Sequence, residues 1–335
     1  MRRVRLPFAP GLEVEFTDRV RAVEQVRELA ERGTWYPLVV FGPEGCGKTA
    51  WLLQAVEVLR ELGFSVIYFN PLRRDFVAEV GIRSIEERAR EVLRGLLSGY
   101  ELAKVIWSAV DFAREAIRLG RGRVAVVVDD AFQLTGAHSA ALFVKGLLEL
   151  IEHPDGAYEK VVAIAATSEG FSRREIGRHR WADLKPMWNM GRRGFEELYE
   201  RVPGPKPPFE EVWRLTGGNP DALRRLYQAG WSADALVGKL VVEKEVVPGL
   251  VSRWGRWLEG AVEDPDALWD PSTPGELVEE LVARNLVVYS MYVRDPWFWV
   301  DEPPPERDLE LGIGRYVAWQ IPLHREAVRR ALGGL

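Results

Sequence analysis

Gly42-Pro43-Glu44-Gly45-Cys46-Gly47-Lys48-Thr49 is a complete G-x-x-x-x-G-K-[ST] phosphate-binding loop, and the rest of the 335-residue chain is read outward from it. The glycines let the backbone curl so that successive N–H groups face inward, and the positive end of the helix that follows completes an anion cradle. Lys48 would reach the β- and γ-phosphates, the Thr49 hydroxyl would ligate Mg²⁺, and Ala50 extends the row of helix-start amides. Just before the loop, Trp35-Tyr36-Pro37-Leu38-Val39-Val40-Phe41 reads as a short buried strand. Just after it, residues 49–62 carry Leu52, Leu53, Val56 and Leu59 at helical spacing. Strand, loop and helix therefore arrive in the order a phosphate loop requires.

A chain of this length with 47% hydrophobic residues supports two or three domains with real cores and is not disordered. It has no stretch resembling a signal peptide and no run of about eighteen apolar residues, so the expectation is a soluble, cytoplasmic protein with no membrane partner. Cys46 is the only cysteine, which rules out an intramolecular disulfide and a cysteine-built metal site; inside the loop it reads as a small filler or a redox-sensitive thiol. Net charge is −5, which argues against indiscriminate nucleic-acid binding while leaving room for a local basic face. Abundant Arg and Glu with scarce Asn and Gln suggest a thermophilic source, although a GC-rich genome would also favour arginine.

A second acidic element fits the loop. Arg123-Val124-Ala125-Val126-Val127-Val128 reads as a buried parallel strand ending in Asp129-Asp130. Ligands of such sheets gather at strand C-termini. Asp129 would hold the Mg²⁺ shell and Asp130 would orient or deprotonate the attacking water; two aspartates at a loop start can also be a plain helix cap. The run 161–166 is another buried strand, tipped by Thr167 and Ser168, which would touch the γ-phosphate or the water if this strand lies between the two motif strands. Arg173, Arg174, Arg178, His179 and Arg180 follow, and Arg180 is the candidate for stabilising transition-state charge, with a solvated loop as the alternative.

Elsewhere the pattern is scaffold. Residues 20–32 form an amphipathic helix with Val20, Val23, Val26 and Leu29 on one face, preceded by Phe16-Thr17-Asp18-Arg19. Arg19 there is a candidate contact to the nucleotide base or sugar. Residues 65–70 read as a strand stopped by Pro71, residues 85–97 and 102–119 as helices broken near Ser98-Gly99-Tyr100, and residues 184–190 as an edge strand interrupted by Pro186. Val202-Pro203-Gly204-Pro205-Lys206-Pro207-Pro208 marks a domain boundary. Beyond it, helices flank Thr216-Gly217-Gly218-Asn219-Pro220, where a glycine ends one helix and Pro220 starts the next. The order helix, β-run (286–293), β-run (316–321), helix (322–332) is compatible with a winged-helix-like domain. The C-terminal third is rich in aromatics, and Trp297-Phe298-Trp299 beside Pro303-Pro304-Pro305 reads either as core or as a partner-binding loop.

Taken together, Phe16-x-x-Arg19, the phosphate loop, Val128-Asp129-Asp130, Ala166-Thr167-Ser168 and Thr216-Gly217-Gly218-Asn219-Pro220 resemble the archaeal ATPase family, in the STAND class of P-loop NTPases related to AAA+ proteins. The resemblance implies an α/β fold with a five-stranded parallel sheet, a helical lid and a winged helix, and ATP or ADP with Mg²⁺ as cofactors. Gly218 and Pro220 are thereby implied as nucleotide contacts. On these grounds residues 1–201 are assigned to the ATPase domain, 202–265 to the lid and 266–335 to the winged-helix-like domain. The expected function is slow, Mg²⁺-dependent ATP hydrolysis coupled to movement of lid and winged helix, with a protein partner at the C-terminal domain. The alternatives are a DNA-binding, initiator-like ATPase, which the acidic pI opposes, and a slow nucleotide-bound scaffold. Two departures stand out: the arginine lacks the usual preceding glycine, and Asp130 is one methylene shorter than the glutamate common in related ATPases.

Overall fold

A computed structural model describes residues 2–70, 75–97, 102–130, 132–167 and 176–334. The expected residues Ser168, Arg173 and Arg174, and the helix break at 98–100, fall outside them. The chain opens with an antiparallel hairpin, β1 (Arg5–Ala9) and β2 (Leu12–Glu15). Then follow α1 (Val20–Arg32), β3 (Leu38–Phe41), α2 (Lys48–Glu61), β4 (Ser65–Asn70), β5 (Asp75–Glu79), α3 (Arg83–Leu97), α4 (Leu102–Arg118), β6 (Arg123–Val128), α5 (Phe132–Glu152), β7 (Lys160–Ala166) and β8 (Asp183–Pro186). The remainder holds α6 (Arg192–Glu200), α7 (Phe209–Thr216), α8 (Pro220–Gln228), α9 (Ala233–Glu243), α10 (Pro248–Glu263), α11 (Gly275–Ala283), β9 (Val287–Tyr289), β10 (Val317–Trp319) and α12 (Pro322–Gly333).

Two compact units result. One comprises Met1–Val4, Val20–Phe41 and Lys48–Lys185; the other comprises Arg5–Arg19, Gly42–Gly47 and Pro186–Leu335. The first is built on a sheet of order β5-β4-β6-β7-β3-β8. Continuous apolar runs explain its centre: every residue of β3 and all but the first of β6 and β7 are buried, as strands covered on both faces must be. β4, β6, β7 and β3 run parallel. The expectation of five parallel strands is corrected here, because β5 adds a sixth strand that pairs antiparallel with β4, Asn70 opposite Asp75 and Val66 opposite Glu79. A short return strand of this kind needs no crossover helix, so it fits into a stretch too brief for another parallel unit. β8 lies at the edge, as its proline requires.

The helices of this unit bury the faces their spacing predicts. In α1, Val23, Val26 and Leu29 are buried, whereas Val20 is exposed, since at the first turn it precedes the stripe that meets the core. Trp51 on α2 is fully buried and donates its indole N–H to the Ala22 carbonyl at 3.2 Å, pinning α1 to α2. Truncating such a side chain to alanine costs about 3–5 kcal/mol. Among the described residues no helix is long and apolar enough to cross a membrane.

The second unit is mainly helical. One core joins Phe8 and Val14 of the hairpin to Phe195, Val212, Leu223, Leu236 and Leu323. Another joins Trp254, Leu258, Leu277, Leu281, Val287 and Trp319, with β9 and β10 pairing antiparallel across it. Trp299 is buried while its neighbours Trp297 and Phe298 are exposed, so the Trp-Phe-Trp triplet is split between core and surface.

Candidate functional site

The loop segment Gly42–Gly47 belongs to the second unit, and other residues of that unit hold it at Glu44, Gly45 and Cys46. Glu44 is gripped at all three of its polar groups. Its N–H donates to Gln320 Oε1 at 2.9 Å, its carbonyl accepts from Asn219 Nδ2 at 2.9 Å, and its carboxylate pairs with Lys244 Nζ at 2.8 Å. The Gly45 carbonyl accepts from the Asp221 N–H at 3.3 Å, and the Cys46 carbonyl accepts from Arg19 Nη2 at 2.6 Å. Cys46 is fully buried with its thiol 3.7 Å from the Met187 carbonyl, which places it as a packed filler of the loop.

Two glycines of the loop have no substitute. A Cβ on Gly42 would stand 1.9 Å from the Met187 carbonyl oxygen, a backbone atom that cannot swing away. A Cβ on Gly45 would stand 2.4 Å from Asp221 Cβ, and Gly45 has φ +76, which L side chains rarely adopt. Close approach of loop to neighbour is therefore built into the sequence at these positions.

The turn Gly217-Gly218-Asn219-Pro220 is what approaches. Gly217 ends α7 in the left-handed conformation and Gly218 follows at φ +78, with no room for a Cβ beside the Met190 carbonyl. Asn219 caps α8 by accepting from the Ala222 N–H at 2.9 Å and directs its amide N–H groups to Glu44 and to Asn189 Oδ1, the latter at 2.8 Å. Pro220 opens α8, with its Cγ 3.9 Å from where a Cβ on Gly47 would be. The helix-cap chemistry and the grip on the loop thus use the same few residues.

Arg19 is 3% exposed. Its Nη1 pairs with Asp301 Oδ2 at 2.8 Å, and its Nη2 donates to the Cys46 and Trp188 carbonyls at 2.6 and 2.9 Å. Beside it, burial raises the carboxyl of Asp18 above the ordinary aspartate range, the Arg19 N–H opposes that, and the Asp301 charge adds to it.

In the first unit, α2 starts at Lys48, which is buried, followed by half-buried Thr49 and Ala50. Asp129 stands at the C-terminal end of β6, completely buried, with its N–H on the Phe69 carbonyl at 2.8 Å. Asn70, also completely buried at the end of β4, donates to Asp129 Oδ2 at 2.8 Å, and Tyr68 approaches the same oxygen at 3.4 Å. Asp130 follows with φ +50, a left-handed conformation that turns it away from the strand path. Thr167 tips β7, and β7 lies between β6 and β3, the position from which a strand-end hydroxyl can reach between the two motif strands. Arg180 is exposed, and neighbouring His179 stacks on Trp181 at 4.0 Å.

Thr49 hydroxyl and Asp129 carboxylate are hard oxygen donors, and among the described residues no cluster of three or more His, Cys, Asp or Glu side chains gathers. A hydroxyl and a carboxylate are the kind of oxygen donors that Mg²⁺ takes alongside waters and phosphate oxygens. Asn70 in the first unit, and Asn189, Asp301 and Gln320 in the second, were not legible in the sequence as partners of the motif residues. Each stands alone among apolar or loop residues, and only a polar side chain at the end of an otherwise apolar run marks Asn70 and Gln320.

Among solved structures the chain is similar to the ORC2 protein of Aeropyrum pernix in ADPNP–ADP complexes, with 12% identity, 98% of this chain and 97% of that chain covered, and a TM-score of 0.44. It is also similar to the ORC1 protein of Aeropyrum pernix in complex with DNA, with 15% identity, coverage of 95% and 93%, and a TM-score of 0.39. For AMPPCP-bound DnaA from Aquifex aeolicus the identity is 17% and the TM-score 0.36, and the match covers 62% of this chain but only 58% of that protein. No curated protein matches. A family model described as an ATPase domain predominantly from Archaea matches residues 16–226, a span that runs from Phe16 and Arg19 through the phosphate loop and Asp129 to Gly218-Asn219-Pro220. With more than half of its length inside that match, the chain belongs to the family of ATPase domains found predominantly in Archaea.

Proposed function

We propose that the chain is a slow, Mg²⁺-dependent ATPase in which the nucleotide state biases the placement of a helical lid (202–265) and a winged-helix-like end (266–335), in the manner of a STAND switch. The observation that carries this reading is the grip on Gly42–Gly47 by Asn219, Asp221, Lys244 and Gln320, residues 175 or more positions further along the chain. Anything that reshapes the loop must strain or release those contacts, and anything that moves them must reshape the loop; such coupling is reciprocal.

Each side chain has a role in that account. Lys48 neutralises the β- and γ-phosphates, and Thr49 with Asp129 would hold Mg²⁺, whose chemistry is to offset charge on the phosphate oxygens. Asn70 fixes the Asp129 carboxylate by a charge-assisted hydrogen bond. Asp130 orients or deprotonates the attacking water, Thr167 contacts the γ-phosphate or that water, and Arg180 is the candidate for offsetting transition-state charge. Gly218 and Pro220 contact the nucleotide from the lid side. Because aspartate reaches one methylene less far than glutamate, turnover is expected to be slow.

A DNA-binding, initiator-like ATPase is the second reading, and the winged-helix-like order of elements at the C-terminal end favours it. α11, which stands just before β9, carries Glu276, Glu279 and Glu280, and the segment between β9 and β10 carries six acidic residues against Arg294, Arg307 and Arg315. Asp301 among them is buried against Arg19, and α12 carries Arg325, Arg329 and Arg330, so duplex binding followed against salt concentration decides between the two readings. Phosphate release by the full chain, compared with Lys48→Ala and Asp130→Asn, tests the proposal: Asp130→Asn is expected to lower turnover by about 10²-fold or more. Wild-type turnover no faster than that of Lys48→Ala, with ATP still bound, would leave a nucleotide-held scaffold for a protein partner instead.

A further inference from the structure

The ion pair between Arg19 and Asp301 joins positions 282 residues apart, both nearly excluded from solvent, with side-chain exposures of 3% and 8%. A buried guanidinium persists only if its donors meet acceptors, and here they meet one carboxylate and two carbonyls. One of those carbonyls is Cys46, in the middle of the phosphate loop. Fixing a peptide carbonyl fixes the plane of its peptide, and with it the direction of the Gly47 N–H on the other side of the same bond. The guanidinium therefore bears on an amide that the cradle needs.

Backbone strain is concentrated at the same point. Asp18, Arg19 and Asp301 have φ of 58°, 58° and 66°, left-handed values that non-glycine residues rarely take. Such conformations survive where the surroundings over-determine them and are found at sites with a job to do. Gly194 leaves the space for it, since a Cβ there would stand 1.8 Å from Asp18 Oδ2.

We propose that Arg19 is a positioning residue of the phosphate loop and that Asp301, from the C-terminal segment, orients it. Arg19 acts on phosphate binding through the Cys46 peptide and carries no selectivity for the base. The inference rests on the nucleotide-binding reading above.

Titration of the full chain with fluorescent ADP and GDP analogues tests it, using Asp301→Asn and Arg19→Lys. Loss of one charge-assisted hydrogen bond predicts about ten-fold weaker binding of both nucleotides by each variant. The ratio of ADP to GDP affinity stays at its wild-type value. Affinities within about two-fold of wild type in folded variants overturn the proposal, and so does a loss confined to the adenine nucleotide, which is the signature of a base contact. Arg19→Lys keeps the buried positive charge, so it gives the answer if Asp301→Asn does not fold. Wild-type protein that binds neither nucleotide refutes the nucleotide-binding reading itself, a result distinct from either.

Discussion

His324 gives the sharpest stability prediction. It lies on α12 with 4% exposure, and burial, then the positive charge of Lys244 and to a smaller extent that of Arg225, lower its pKa to about 3, with the Leu286 backbone opposing them. In the unfolded chain the same imidazole titrates near 6.5. The folded state therefore binds fewer protons than the unfolded state between these values, and stability falls as the pH drops through that window. Linkage over this pair of pKa values gives a loss of about 2 kcal/mol between pH 7 and pH 5 from this residue alone. His324→Gln removes the titration and keeps a polar side chain of similar reach. The assay is urea unfolding followed by tryptophan fluorescence at pH 7, 6 and 5, since Trp254 and Trp319 are buried in the adjoining core. Carboxylates titrate alike in both proteins and cancel in the difference. Wild type should lose about 2 kcal/mol more than the variant across the range; parallel curves would refute the reasoning.

Three further outcomes are expected. Asp18→Asn should stabilise the protein at pH 7, because burial raises the Asp18 pKa and the charged form is disfavoured in the fold; the gain should vanish in acid, where Asp18 is protonated in both states, as melting curves at pH 7 and below pH 4 will reveal. Gly45→Ala forces a Cβ to within 2.4 Å of Asp221 Cβ at a positive φ, so nucleotide affinity should drop by at least about ten-fold in a fluorescence titration. Asn70→Ala should raise the Mg²⁺ concentration needed for half-maximal turnover by about ten-fold, with ATP affinity in the absence of metal unchanged; an unaltered Mg²⁺ requirement would remove Asn70 from the account.

What could be read in the sequence was whatever repeats with a period or matches a fixed spacing. The loop is a spacing, and β3, β6 and β7 are continuous apolar runs, which is why the centre of the sheet was legible. β5 was not, since five residues with acids at both ends carry too short a pattern to separate from the helical stretch that follows. The hairpin of β1 and β2 carries a signal that pattern-reading passed over: Leu6, Phe8, Leu12 and Val14 alternate with polar or exposed positions around Pro10-Gly11. Among the candidate site residues, Lys48 and Thr49 follow from the loop motif, and Asp129 from the apolar strand that ends in two carboxylates. Gln320 meets Glu44, Asp301 meets Arg19 and Asn189 meets the Gln320 carbonyl, each across more than a hundred residues of chain, and a single polar side chain has no periodicity to announce its partner.

Calorimetric titration of the full chain with Mg-ATP, alongside Lys48→Ala, decides whether the loop holds a nucleotide. The account predicts saturable binding at micromolar concentrations by wild type and a loss of at least about fifty-fold in the variant, which lacks the cation facing the β- and γ-phosphates. No heat of binding from wild type at those concentrations, or equal affinity in both proteins, would contradict it.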